Sequence, residues 1–330
     1  MILVGDVIEK LSEIRETVQT CVTSPPYWGL RDYGVEGQLG LEKTPQEFVA
    51  NMVEVFRGVR RVLRDDGTLW LNIGDSYASQ RGGTHQPAET LAGGVGGKTE
   101  SGARVNRSRH DGYNPSRNAS AFGLKHKDLC LIPERLAIAL QDDGWWIRSR
   151  IAWCKKSSMP ESVTDRPTSA WEHIWLLTKS ARYYYDSDAV RQSYNPNSLG
   201  RYDYAKQHTN STNQRYQPGN EKLLERGPVA EVSNMNPNGA NLRNYWVLGP
   251  EPYPEAHFAT FPSEIPRRCI KAGSRPRDTV LDPFLGSGTT AAVAQELDME
   301  WVGIELNPEY AALAEKRINA VGAPQIGLPI

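Results

Sequence analysis

Thr279-Val280-Leu281-Asp282-Pro283-Phe284-Leu285-Gly286-Ser287-Gly288-Thr289-Thr290, followed by Met299 to Glu305 (MEWVGIE), reads as strand, glycine-rich turn, helix and second strand, with an acid at the second strand's end. This is a nucleotide-type crossover. Gly286 and Gly288 let the backbone approach a ligand, and Glu305 can accept hydrogen bonds from ribose hydroxyls. A phosphate-binding P-loop does not fit, because Thr289-Thr290 follow Gly288 with no lysine. Gly286 to Ala291 does fit the dinucleotide pattern G-x-G-x-x-A, which keeps a nicotinamide-dependent oxidoreductase in play.

Beyond Glu305 the chain offers a helix, opened by Asn307-Pro308-Glu309 as cap and first turn, and a short tail. The other strands of an open sheet are therefore expected earlier in the chain. Ile2 to Val4, Thr20 to Thr23, Thr68 to Ile73, Trp145 to Trp153 and Trp171 to Thr178 carry the β-branched and aromatic bias of strands, with helix-like segments between them. Asp282, Glu305, Asp6 and Ser24 then all fall just past a strand's carboxyl end, where open α/β sheets bind ligands.

Ser24-Pro25-Pro26-Tyr27 has the form of a clamp for an exocyclic amine. Two prolines fix φ and donate no hydrogen bond, so the carbonyls around them face whatever lies above the strand end. Ser24 adds a side-chain oxygen and Tyr27 a flat face, as a base-modifying enzyme needs. Alone, the same tetrapeptide also suits a rigid turn or an exposed polyproline ligand.

Together these stretches resemble the S-adenosylmethionine-dependent amino-methyltransferases of DNA, in the subgroup whose catalytic motif precedes the cofactor motif. The match spans roughly residues 1 to 75, 130 to 185 and 256 to 320. The resemblance implies a Rossmann-like class I methyltransferase α/β sheet with permuted strand order and a less regular target-recognition region. It assigns Ser24, Pro25, Pro26 and Tyr27 to catalysis. To S-adenosylmethionine it assigns Asp6 at the adenine, Phe261 and Pro262 beside the methionine part, the loop residues Asp282, Pro283, Phe284, Gly286, Ser287, Gly288, Thr289 and Thr290, Glu305 at the ribose, and Asn307. Serine in the first clamp position, after Thr23, is typical of members that make N4-methylcytosine. The N6 amine of adenine fits the same clamp and stays as the alternative. An oxidoreductase shares the glycine turn and Glu305 but leaves Ser24 to Tyr27 unexplained, and a non-catalytic DNA-binding module is a further alternative.

Direct methyl transfer to a flipped base follows from this resemblance, with duplex DNA as partner and a cognate restriction endonuclease as a possible one. The cytosine amine is a poor nucleophile because its lone pair is delocalised into the ring. Hydrogen bonds to Ser24 and the Pro25 carbonyl would weaken that conjugation. Asp75, in Asn72-Ile73-Gly74-Asp75, is the one candidate proton acceptor that the sequence offers.

The chain has 330 residues, enough for a sizeable core, with hydrophobic content of 39% and no apolar run of membrane-spanning length. No basic, then apolar, leader opens it, so a cytoplasmic enzyme is expected, and the family resemblance implies a bacterial, archaeal or phage setting. Cys21, Cys130, Cys154 and Cys269 are scattered without a C-x-x-C pair, which argues against disulfides and structural zinc. None follows a proline, unlike the nucleophile of cytosine C5-methyltransferases. The histidines, among them His173 and His257, lack metal-binding pair spacing and read as structural, and no metal site is expected.

Net charge is only -1, yet Lys98 to Lys127 holds seven basic residues against two acids, Glu100 and Asp111. Arg104, Arg107, Arg109, Arg117, Lys125 and Lys127 are expected to contact phosphates from a basic insert over about 76–128. A solvated stretch without a partner is the plainer alternative. Residues 186–255, rich in Asn, Gln and Tyr, are expected to read the target, with Arg215 and Arg243 touching DNA. The catalytic core is then 1–185 with 256–330. Elsewhere Thr44-Pro45-Gln46-Glu47 is a capping box opening a helix whose face is Phe48, Met52, Val55, Val59 and Leu63. Asp65-Asp66-Gly67 is read as the turn that ends it. Trp145, Trp146, Trp153, Trp171 and Trp175 are expected in or beside the core.

Overall fold

The computed structural model describes residues 1–15, 17–78, 123–158, 160–194, 236, 238–249, 251 and 261–321. The chain divides into two compact units, residues 1–185 with 244–330, and residues 186–243.

In the larger unit the strands are β1 (Ile2–Val4), β2 (Val18–Thr23), β3 (Leu63–Ile73), β4 (Trp146–Lys155), β5 (Trp171–Thr178), β6 (Tyr245–Leu248), β7 (Thr279–Asp282) and β8 (Glu300–Glu305). They form one sheet in the order β1-β8-β7-β2-β3-β5-β4-β6. β5 alone runs against its neighbours β3 and β4, and every other pairing is parallel. This is the mixed, permuted sheet expected of a Rossmann-like methyltransferase. Strands from the two ends of the sequence are interleaved: β1 lies beside β8 and β2 beside β7. The amino-terminal ammonium also donates to the Trp301 carbonyl at 2.8 Å. Every residue of β2 is buried, as a central strand covered on both faces requires.

The helices are α1 (Val7–Glu13), α2 (Pro45–Val62), α3 (Ile132–Asp142), α4 (Glu264–Gly273), α5 (Thr289–Glu296) and α6 (Pro308–Ala320). α1, α2 and α3 contact one another in series, as do α4, α5 and α6. The alternation along β3 separates the two layers: Leu69, Leu71 and Ile73 join the core under α1 to α3, whereas Trp70 turns to the other face and approaches Trp246.

α2 starts as its sequence directs. Thr44 Oγ1 accepts from the Glu47 backbone N–H at 2.9 Å, and Pro45 takes the first helical position. Phe48, Met52, Val55 and Val59 are fully buried. Leu63 is buried too, but as the first residue of β3. Asp65-Asp66-Gly67 does not form a turn ahead of the strand. Val18 pairs with Leu63 and Thr20 with Thr68, so the ladder bulges and Arg64 to Gly67 face the single residue Gln19. Asp65 stays exposed by looping out of a strand already begun, and half-buried Asp66 accepts from Arg275 at 2.7 Å.

The tryptophans divide between core and surface. Trp145, Trp153 and Trp175 are buried, as expected of residues in or beside the core, whereas Trp146 and Trp171 are 48% and 47% exposed. Trp146 follows Trp145 in sequence and so takes the opposite side of the pleat. Tyr245 to Leu248, assigned from sequence to the recognition region, pair with β4 at the sheet's edge.

In the smaller unit, Asp186 caps a turn through the backbone N–H groups of Asp188 and Ala189, and Gln192 bridges Ala240. Arg191 ties the two described segments together by donating to the Gly239 carbonyl and to Asn241 Oδ1. Among the described residues no helix is long and apolar enough to cross a membrane.

Candidate active site

The carboxyl ends of β2 and β7 meet at the point where the strand order reverses, the crevice where open α/β sheets take ligands. Thr23 Oγ1, the residue before the clamp, donates to Asp282 Oδ1 at 2.7 Å. Thr290, at the start of α5, donates back to the Val22 carbonyl at 3.4 Å. The proline pair and the glycine turn thus open on the same edge of one sheet. β8 and β1 complete that edge, where the Gly5 N–H donates to the Glu305 carbonyl at 3.0 Å.

On the β7 side Asp282 is buried and accepts hydrogen bonds from Thr23 and the Phe284 N–H. Loss of water dominates over those bonds and raises its carboxyl to about 6. Glu305 receives the Gly286 N–H at 2.8 Å on one oxygen and the Asn307 N–H at 2.9 Å on the other, and burial raises it as well. Gly286 has φ +54° and nearly open space where a Cβ would sit, with only the Phe284 carbonyl at 4.0 Å. Gly288, at φ +81°, is held against Ala314 of α6. An open glycine backbone beside a carboxylate with unused lone pairs fits a nucleoside, as S-adenosylmethionine requires.

Other residues assigned to the cofactor have structural partners of their own. Arg317 donates to Ser287 Oγ at 3.2 Å and to Thr289 Oγ1 at 2.7 Å, pinning the turn to α6. Asp6 caps α1 through the Ile8 and Glu9 N–H groups, and Asn307 caps α6 through Glu309 N–H. The Pro262 carbonyl accepts from Ile265 at the entry to α4, with Phe261 partly buried just before it.

The clamp itself rests on groups that the sequence reading did not single out. Pro25 is buried, and Pro26 packs on Gly40, where a Cβ would meet it at 3.2 Å. The Tyr27 ring lies so close to Gly74 that an added Cβ would approach it to 2.6 Å. Ser24 Oγ donates to Tyr27 Oη at 3.3 Å, and Tyr27 Oη donates to Glu172 Oε2 at 2.7 Å. Asn72 Oδ1 lies 3.2 Å from the phenol, and its Nδ2 donates to the His173 carbonyl and to Glu172. Lys155 Nζ pairs with the other Glu172 oxygen at 2.5 Å. Burial, then the Glu172 charge, pushes the Tyr27 phenol well above its ordinary range. Asn72 is the penultimate residue of β3, Lys155 ends β4 and Glu172 is the second residue of the antiparallel β5. Only the pairing of those strands brings them together, and no local pattern marks them.

Asp75, the proton acceptor that the sequence suggested, has backbone partners of its own. Its carboxylate accepts from the N–H groups of Ser76, Leu131 and Ile132, closing the start of α3, whose own cap residue Leu131 has no side-chain acceptor. His173 is buried and stacked on Trp175, with Nε2 2.9 Å from Glu134 Oε1 but without the alignment of a hydrogen bond. Among the described residues no group of three or more His, Cys, Asp or Glu side chains could hold a metal ion.

Of the basic residues expected at DNA, Arg104, Arg107, Arg109, Arg117 and Arg215 lie outside the described residues. Lys125 is exposed beside Asp128, and Lys127 is exposed but paired with Asp165. Arg243 is exposed in the smaller unit.

A family model described as DNA methylase, covering N6 and N4 methyltransferases, matches residues 18–316. The chain is 43% identical over 319 residues to the Type II methyltransferase M.SmaI of Serratia marcescens, spanning 96% of this chain and 90% of that protein. It is 41% identical over 316 residues to the Type II methyltransferase M.Cfr9I of Citrobacter freundii, spanning 96% and 86%. Among solved structures, the fold is shared with PvuII DNA methyltransferase (cytosine-N4-specific), at a TM-score of 0.59 and 18% identity over 96% of this chain and 85% of that one. It is shared also with a putative DNA modification methylase of Thermus thermophilus, solved with S-adenosyl-L-methionine, at a TM-score of 0.54 and 20% identity over 97% and 95%.

Proposed function

The chain belongs to the DNA methylase family of N6 and N4 methyltransferases, and from that premise we propose that it methylates the N4 amine of a cytosine turned out of duplex DNA. The observation that carries this reading is the 2.7 Å hydrogen bond from Thr23 to Asp282, which brings an amine clamp and a nucleoside-binding turn to adjacent strand ends. Ser24 in the first clamp position, by resemblance to N4-specific members, supports cytosine.

S-adenosylmethionine, the family's cofactor, supplies when bound an electrophilic methyl on a positively charged sulfur. Glu305 is proposed to accept the ribose hydroxyls, Asp6 to face the adenine, and Asp282 to Thr290 with Phe261, Pro262 and Asn307 to wall the remainder. The Ser24 oxygen and the Pro25 carbonyl accept from the target amine and draw its nitrogen towards a pyramidal shape, freeing its lone pair. The Tyr27 ring stacks on the base, offsetting part of the few kcal/mol that flipping costs. Positioning accounts for much of the remaining acceleration. Target reading is assigned to residues 186–243, with Arg215 and Arg243 at DNA. Phosphate contact is assigned to Arg104, Arg107, Arg109, Arg117, Lys125 and Lys127. The Type II names of the relatives support a setting beside a cognate restriction endonuclease.

Incubation of the protein with unmethylated DNA and labelled cofactor, then digestion to nucleosides and mass spectrometry, tests the reading. N4-methylcytosine is the expected product, and N6-methyladenine would overturn the base assignment. Ser24→Ala should lower single-turnover transfer by about 100-fold while cofactor affinity is kept. Undiminished transfer would remove Ser24 from catalysis.

A further inference from the structure

An exocyclic amine that accepts a methyl group becomes positively charged and must lose a proton, and Ser24, the side chain proposed to face it, is too weak a base to keep one. Asp75 is occupied by three backbone donors. The hydrogen bonds around the clamp lead to another carboxylate. Ser24 Oγ donates to Tyr27 Oη at 3.3 Å, and Tyr27 Oη donates to Glu172 Oε2 at 2.7 Å. Tyr27 has one proton and two acceptors in reach, and the shorter distance gives it to Glu172 rather than to Asn72 at 3.2 Å. The Asn72 amide is oriented by its bond to the His173 carbonyl at 3.0 Å, so its Oδ1 faces the phenol as an acceptor. The direction of donation is therefore set along the whole chain, and Ser24 Oγ, as a donor to Tyr27, keeps its lone pairs to accept a proton.

Resting on the methyl transfer proposed above, we propose that Glu172 is the terminus of a proton relay that runs from the target amine through Ser24 and Tyr27 as the nitrogen bonds the methyl, so that proton loss and methyl transfer share one transition state. The N–H bond breaks and nitrogen keeps its electron pair. Its proton joins Ser24 Oγ as the Ser24 proton passes to Tyr27 Oη and the Tyr27 proton to Glu172 Oε2. Ser24 and Tyr27 end neutral, and the carboxylate ends as a carboxylic acid that releases its proton to water. Tyr27 enters the step as a neutral phenol, in keeping with its burial. Lys155, 2.5 Å from the other Glu172 oxygen, and Asn72, 3.3 Å from Oε2, hold the carboxylate in place. Glu172 acts through Tyr27 and is thus a positioning and proton-accepting residue without substrate contact of its own.

Glu172→Gln keeps the size and a carbonyl acceptor for Tyr27 but accepts no proton. Single-turnover methyl transfer should fall by about 100-fold, with cofactor and DNA dissociation constants within about twofold of wild type. Glu172→Asp should recover roughly a tenth or more of the lost rate. Tyr27→Phe interrupts the same chain, so combining it with Glu172→Gln should cost little beyond the worse single variant. Transfer by Glu172→Gln within about threefold of wild type, or losses that multiply in the double variant, would overturn the relay. The nucleoside made by wild type judges the function itself, whereas the ratio of variant to wild-type rate judges the relay.

Discussion

Asp282 carries a charge that its surroundings penalise. In the unfolded chain its carboxyl titrates near 3.8, and in the folded protein burial moves it to about 6. The folded state therefore binds the proton more tightly, and the stabilisation from protonation is complete below about 3.8 and lost as pH rises through about 6. The difference corresponds to about 3 kcal/mol. Asp282→Asn keeps an oxygen for Thr23 and the Phe284 N–H but has no charge to bury. Urea denaturation at several pH values between about 4 and 7 should show wild type losing roughly 2 kcal/mol relative to the variant across that range. Parallel curves would show that Asp282 is solvated as in the unfolded chain. Asp75 shows the opposite limit of legibility. Its place after a strand suggested chemistry, but the N–H groups it satisfies come from Leu131 and Ile132, more than fifty positions away in sequence.

At the level of elements, the turn from β7 into α5 depends on two glycines for different reasons. At Gly288 a Cβ would sit 2.9 Å from the Ala314 Cβ and 3.0 Å from its Cα, with φ at +81°. Gly288→Ala should destabilise the protein by roughly 2–3 kcal/mol, from left-handed strain and overpacking together. At Gly286 only the conformational strain applies, since a Cβ meets nothing closer than 4.0 Å. Gly286→Ala should cost about 1 kcal/mol in folding and act mainly on cofactor affinity. Urea midpoints read beside calorimetric binding distinguish the two, and equal folding losses would contradict the packing argument. The glycines are visible in the sequence, whereas their division of labour depends on where α6 packs. The same holds for α2 and β3: the capping box and apolar face were legible, but the acids at Asp65 and Asp66 read as a turn because a bulge opposite Gln19 has no local signature.

At the scale of the whole molecule, the larger unit draws its proposed cofactor walls from both ends of the chain: Asp6 after β1, Asp282 to Thr290 after β7, and Glu305 after β8. A ligand held by all three should stabilise that unit cooperatively. With S-adenosylmethionine at about 100 times its dissociation constant, unfolding free energy should rise by about 2.7 kcal/mol, and Glu305→Ala should erase most of that gain. An unfolding midpoint that the cofactor leaves unmoved would tell against the pocket.

The strand ends, the proline turn after β2, the glycine turn and the cap of α2 were readable from the sequence, because each depends on neighbours within a few positions: φ limits at proline and glycine, side-chain reach at a cap, and alternation along a strand. What only the tertiary structure decided is which strand lies beside which. Parallel pairing of β2 with β7 brings Thr23 to Asp282, and antiparallel pairing of β3 and β4 with β5 gathers Asn72, Lys155 and Glu172 around Tyr27. Such contacts are set by sheet register between distant segments, and hydrophobic burial selects that register without leaving a mark on the polar residues it brings together.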